Sequence, residues 1–129
     1  MFGFGKKVHG LKRPEYLNSV NQIIERDLQV NTDSGENTLF PGALVFQKLI
    51  FDHGWSNGWP PEECAAFVGI AYWRGCVKLE GRGLEEARRI NSVLVDFIKT
   101  RARNGKISKE GERALLGDYE EYKSMLERS

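Results

Sequence analysis

Residues 60–79, PPEECAAFVGIAYWRGCVKL, constrain the fold of this chain more than any other stretch. Two prolines followed by Glu62 and Glu63 are typical of a helix N-terminus, and Gly81 is a helix stop signal. Between these limits, apolar or small residues recur every three or four positions and therefore share one helical face. Further apolar residues widen that face. The pattern predicts a central helix that is buried on most sides.

Small residues on this face indicate close packing between helices. Gly69 costs about 1 kcal/mol relative to alanine in a helix interior, so we expect a reason for its presence. Close approach of a neighbouring helix is the favoured interpretation. The alternative is that the glycine opens a groove for a ligand.

Helical periodicity and end signals predict four further helices around the central one. Their expected extents are residues 14–30, a segment from 38–41 to 54, residues 83–105, and the residues after a cap at Ser108. The second segment is so apolar that it also fits an internal strand, but no other segment reads as a strand that could pair with it. The expected fold class is all-α, a single compact bundle of about five helices.

The chain length of 129 residues fits one domain, because a chain of this size buries roughly two-thirds of its unfolded surface. Residues 14–129 are expected to form a single α-helical domain. Residues 1–13 are expected to form a flexible basic-aromatic N-terminal arm, because three glycines there oppose helix formation. The arm could touch lipid headgroups or nucleic-acid phosphates, or its phenylalanines could pack onto the domain.

The segment HGWSNGWPP, residues 53–61, is predicted to be a loop that carries Trp55 and Trp59. Tryptophan is enriched at interface hot spots, so both rings are candidates for binding a protein partner. The alternative is that both rings pack back onto the helix ends. The predicted partner-binding set also includes three residues of the central helix: Gly69, Tyr72 and Trp73.

Two basic clusters make nucleic-acid binding the alternative function. Their members are Lys6, Lys7, Lys12 and Arg13 near the N-terminus, and Arg101, Arg103 and Lys106 at the end of the fourth helix. Cations at a helix C-terminus also need no ligand, since they complement the helix dipole. The net charge is only +1, so the composition provides no overall attraction to nucleic acid.

An enzyme with a site near His53 is the third interpretation, because His53 is close in sequence to Cys64. No nucleophile signature accompanies this pair, and no catalytic residue is predicted. The two histidines and two cysteines lack the paired spacing of a zinc site, and no phosphate-binding loop occurs. No metal or cofactor is therefore predicted, and the absence of motifs favours a protein that is not an enzyme.

The spacing of the two cysteines gives an indication of the cellular compartment. Cys64 and Cys76 would lie about 18 Å apart on a continuous helix, too far for a disulfide, and reduced thiols fit a reducing cytosol. No apolar run long enough to span a membrane and no signal peptide is recognised, so a cytoplasmic location is expected. The function expected is a small helical protein-interaction or regulatory module, whose partner is another protein or a second copy of the chain.

Overall fold

The structure, a computed structural model, describes residues 6–30, 42–79 and 81–128, with side chains from residue 47 onward in the second segment. These residues form five α-helices and, within the described segments, no β-strand. The helices are α1 Arg13–Arg26, α2 Gly42–Asn57, α3 Pro61–Lys78, α4 Arg82–Arg103 and α5 Lys109–Glu127. The all-α fold class is confirmed, and the segment that also fitted a strand is the helix α2.

Helix α3 lies at the centre of the bundle. It packs against each of the four other helices, while the outer helices pack on one another only as the pairs α4 with α5 and α1 with α2 among the described residues. Its buried side chains extend around most of its circumference. The dense apolar pattern of residues 60–79 therefore reflects a helix with neighbours on several sides, as predicted.

Gly69 lies where α4 and the segment that follows α1 pack against α3. A Cβ atom at this position would lie 2.9 Å from Cδ1 of Leu28, two residues beyond the end of α1, and 3.0 Å from Leu94 Cδ1 of α4. Both distances are shorter than ordinary van der Waals contact, so the absence of a side chain lets Leu28 and helix α4 approach α3 closely. The close-packing interpretation of this glycine is confirmed.

The end of α2 differs from the sequence-based prediction. The helix continues through Asn57 instead of ending near Gly54, so the predicted loop over residues 53–61 was wrong for residues 53–57. Gly54 is a packing residue, since a Cβ there would lie 2.9 Å from both Cys64 Sγ and Tyr16 Oη. Gly58, with φ +69°, occupies the left-handed conformation that ends the helix. The predicted start at residues 38–41 lies outside the described residues.

The described part of the N-terminal arm folds back on itself and contacts the domain. Val8 and Leu11 exchange two backbone hydrogen bonds of 2.8 and 3.0 Å around a tight turn. Both turn residues, His9 and Gly10, have positive φ angles of 52° and 78°, as a type I′ turn requires. The Val8 side chain is buried in the core cluster. The flexibility expected of residues 1–13 stays a prediction, and residues 1–5 lie outside the described residues.

The close approach of α3 and α4 at Gly83 leads to a stability prediction. A Cβ at Gly83 would lie 2.7 Å from the Cys76 carbonyl oxygen, a backbone atom that cannot move aside alone, whereas nothing lies within 4 Å of a Cβ at Gly117. We expect Gly83→Ala to lower the free energy of unfolding by about 2 kcal/mol, because α4 must shift away from α3. We expect Gly117→Ala to raise it by about 0.5–1 kcal/mol through helix propensity. Urea unfolding measures both, and changes of the same sign would contradict the close α3–α4 contact.

Candidate functional site

Trp59 lies in the short connection between α2 and α3, and its backbone is fixed on both sides. Its N–H donates to the Gly54 carbonyl oxygen at 3.0 Å. Its own carbonyl oxygen accepts a hydrogen bond of 3.0 Å from the buried Tyr16 hydroxyl of α1. Pro60 follows and restricts the backbone further. The backbone of Trp59 is therefore held by hydrogen bonds to two helices, α1 and α2.

Two aromatic neighbours orient the Trp59 ring. It stacks on Phe67 of α3, with ring centroids 4.7 Å apart and an interplanar angle of 25°. The His53 ring of α2 meets it edge-on, with centroids 4.9 Å apart and an angle of 73°. Despite these contacts, Trp59 is only partly buried. The arrangement holds a large apolar ring rigidly at the surface.

A cleft of about 460 Å³ separates this aromatic cluster from the first turns of α5. Its walls include Trp59, Pro60 and Phe67 on one side and Gly111 and Ala114 on the other. His9 of the N-terminal arm also lines it, with Nε2 3.0 Å from the Gly58 carbonyl oxygen. We call this feature the Trp59 cleft. It is within the size range of pockets that receive a small ligand or a few side chains of a partner.

The buried carboxylate of Glu63 connects the two walls of the Trp59 cleft. Glu63 is only 4% exposed, and its Oε1 accepts a hydrogen bond of 2.7 Å from the Ser108 backbone N–H. The Ser108 side chain in turn accepts from the Gly111 N–H at 3.0 Å, as predicted for a cap. From the sequence alone, Glu63 was expected to complement the dipole of its own helix. The glycine at the third position of α5, where a capping box has Glu, is the signal that could have indicated an outside carboxylate.

The structure places four of the five predicted partner-binding residues in the core. Trp55 belongs to α2, is 8% exposed and meets the Tyr16 ring edge-on at 5.4 Å. Gly69, Tyr72 and Trp73 are buried in α3. Of the five residues, Trp59 is the one with a partly exposed side chain. Partner binding by this set stays a prediction, and Trp59 is the member that a partner can reach without unfolding.

The predicted nucleic-acid residues lie at opposite ends of α1, which is about 20 Å long at 1.5 Å per residue. At its start, Arg13 forms an ion pair with Asp52 of α2, and the Lys6 ammonium lies 5.1 Å from the Trp55 ring centroid. At its end, Arg101 of α4 pairs with Asp27 at 3.3 Å. The other predicted residues are exposed: Lys7, Lys12, Arg103 and Lys106. Carboxylates thus offset a cation in each cluster, and nucleic-acid binding stays a prediction.

The cysteine that was considered as a nucleophile is not prepared for that role. Cys64 is fully buried, and its thiol donates to the Ile50 carbonyl oxygen at 3.7 Å. Burial raises the pKa of Cys64 to about 12, and burial likewise raises the pKa of Cys76 to about 12, so the reactive thiolate is scarce at neutral pH. His53 is exposed and packs against Trp59. The geometry therefore gives the proposed site near His53 no activated thiol.

No known protein family, curated protein or solved structure matches this chain. Within the described residues, no three His, Cys, Asp or Glu side chains converge in a group that could hold a metal ion. In the same part of the chain, every helix is too short or too polar to cross a bilayer.

Proposed function

We propose that this chain is a protein-interaction module that receives an apolar side chain of a partner protein in the Trp59 cleft. The observation that carries the proposal is a partly exposed indole whose backbone is held by hydrogen bonds on both sides. A ring that is already ordered loses little conformational freedom when a partner binds. Large aromatic side chains in such settings are frequent hot spots of interfaces.

The alternative role of Trp59 is to cover the ends of α2 and α3 without binding anything. Its stacking on Phe67 serves that role, but a residue that only covers the core does not require an adjoining cleft with a second wall on α5. The cleft supports the proposal because an interface hot spot usually fits a pocket and excludes water when occupied. A cytoplasmic location and the identity of the partner remain predictions that extend the proposal.

Site-specific photo-crosslinking in the source cell tests the proposal. A benzophenone amino acid at the exposed Glu110, which lines the Trp59 cleft and leaves the Trp59 ring in place, should cross-link to a discrete protein, whereas the same group at the exposed Ser92 of α4 should not. Excess unlabelled chain should compete for this cross-link, and excess Trp59→Ala chain should compete at least about tenfold less well, as expected for the loss of a hot spot. Equal competition by the two chains would refute a role for the Trp59 ring.

A separate measurement distinguishes self-association from binding to a different protein. If the partner is a second copy of this chain, sedimentation over a concentration series should show a dimer that Trp59→Ala dissociates. A dimer that is unchanged in Trp59→Ala would place the interface elsewhere and contradict self-association through the Trp59 cleft.

A further inference from the structure

Tyr122 is the one tyrosine of this chain with a partly exposed side chain. The chain contains four tyrosines, and the other three, Tyr16, Tyr72 and Tyr119, are at most 7% exposed. Tyr122 lies near the C-terminal end of α5, where α5 packs against α3. Its hydroxyl is therefore positioned where both α3 side chains and solvent can reach it.

Two cations of α3 converge on Tyr122. Arg74 Nη2 donates to the Tyr122 hydroxyl at 3.1 Å, and its guanidinium carbon lies 4.7 Å from the ring centroid. Lys78, one helical turn further on, has its ammonium 5.2 Å from the same centroid. Hydrogen bonding by Arg74, and then by Lys78, lowers the pKa of Tyr122 from its ordinary value. The two cations therefore stabilise negative charge at the position of the phenol oxygen.

We propose that Arg74, Lys78 and Tyr122 form a binding site for a phosphate monoester. Groups that stabilise an oxyanion on Tyr122 also stabilise the oxygens of a phosphate placed beside it. Because the Tyr122 hydroxyl accepts a hydrogen bond from Arg74, it retains its own proton for donation to the ligand. The guanidinium, ammonium and hydroxyl groups thus offer three kinds of donor to the three terminal phosphate oxygens.

The carboxylate of Asp118 limits the affinity of this site. Arg74 Nη1 donates to Asp118 Oδ2 at 3.2 Å, so part of the Arg74 charge is already offset. Lys78 forms no ion pair with any of the described residues. A phosphate would therefore be attracted chiefly by Lys78 and by the remaining donors of Arg74, against the repulsion of Asp118. This balance means that removing the Asp118 charge should strengthen binding.

The phosphate site is independent of the Trp59 cleft. Gly111 in the wall of the cleft and Tyr122 are eleven positions apart on α5, which corresponds to about 16 Å along the helix. Each proposal can therefore fail without affecting the other.

NMR titration of the full chain, following the Tyr122 ring signals, tests the phosphate site. Glycerol phosphate and a phosphoserine-containing peptide are the two probes, and they distinguish a small metabolite from a phosphorylated protein as the source of the phosphate. We expect at least one probe to cause a saturable shift that sodium chloride at the same ionic strength does not cause. Asp118→Asn should tighten binding about two- to fivefold, and Lys78→Gln should weaken it by a similar factor.

Several results would overturn the proposal. One is a shift that never saturates or that sodium chloride reproduces, because it would report ionic strength alone. Another is equal affinity in the wild-type chain and Lys78→Gln, because Lys78 is exposed and its replacement is not expected to disturb the fold. A third is weaker binding in Asp118→Asn, because the sign of the electrostatic argument would then be wrong.

Discussion

Trp73→Ala is expected to lower the free energy of unfolding by about 3 to 5 kcal/mol. The Trp73 side chain is fully buried in α3, and its ring centroid lies 5.0 Å from that of Tyr119 on α5. Removing the indole leaves a cavity between the two helices that neither backbone can close without losing other contacts. Denaturant unfolding monitored by far-ultraviolet circular dichroism measures the loss.

Two control variants make this prediction specific. Trp59→Ala should cost about 1 kcal/mol, because that ring is only partly buried. Trp73→Phe should cost less than Trp73→Ala, since it keeps an aromatic ring and removes the indole N–H, which has no hydrogen-bond partner among the described residues. Equal losses for Trp59→Ala and Trp73→Ala would contradict the placement of these two rings.

The difference in burial between Trp59 and Trp73 also affects how binding experiments on variants can be interpreted. Gly69, Tyr72 and Trp73 were predicted to bind a partner, yet all three are buried inside the chain. A variant of any of them that loses binding would report altered packing as readily as a lost contact. Trp59 is therefore the residue in the predicted set whose substitution can test an interface while the fold is retained.

Most helix positions could be predicted because their signals are local in the sequence, although α1 ends at Arg26 and not at the expected residue 30. Ile90, Leu94 and Ile98, which recur at helical spacing within the predicted fourth helix, are all buried on one face of α4. Ser108 caps α5, and Gly105, with φ +76°, follows the end of α4. These features depend on spacing within one helix or on the residue next to its end, so they need no knowledge of the tertiary structure.

Contacts between distant segments could not be predicted in this way. Gly54 and Gly58 are both glycines near the end of α2, but their roles differ. Gly54 packs closely against Tyr16 and Cys64, and the sequence does not show that these residues are nearby. Tyr16 itself received no role from the sequence, although it is fully buried and supports Trp59. Helix-stop and amphipathic patterns contain no information about which other helix is nearby.

The sequence also did not predict which face of α4 packs against α3. Arg89 lies about one turn after both Glu85 and Glu86, and its Nη2 donates to Glu86 Oε2 at 2.9 Å. The same Glu86 carboxylate oxygen accepts a hydrogen bond of 2.8 Å from the Tyr72 hydroxyl of α3. Packing of α4 on α3 therefore selects Glu86 over Glu85, although both spacings are compatible with an isolated helix.

Glu63 of α3 accepts the hydrogen bond that an acidic residue of α5 would accept in a capping box. In that motif the residue at the third helical position accepts a hydrogen bond from the N-cap backbone N–H. In α5 this position is Gly111, where a Cβ would lie 2.9 Å from the Glu63 carboxyl carbon. Glu63 Oε1 accepts the Ser108 N–H in its place. The start of α5 is thus fixed to α3 by a buried, charge-assisted hydrogen bond.

Glu63→Ala should consequently lower the free energy of unfolding by about 2 to 3 kcal/mol, because the Ser108 N–H loses its acceptor and a cavity forms beside Gly111. Glu62→Ala, on the more exposed neighbouring position, should change it by less than about 1 kcal/mol. Hydrogen exchange should show the largest loss of protection at the first turn of α5. Loss spread evenly over all helices would contradict a local role. Because that turn forms one wall of the Trp59 cleft, Glu63→Ala should also weaken the binding of any partner whose cross-link depends on Trp59.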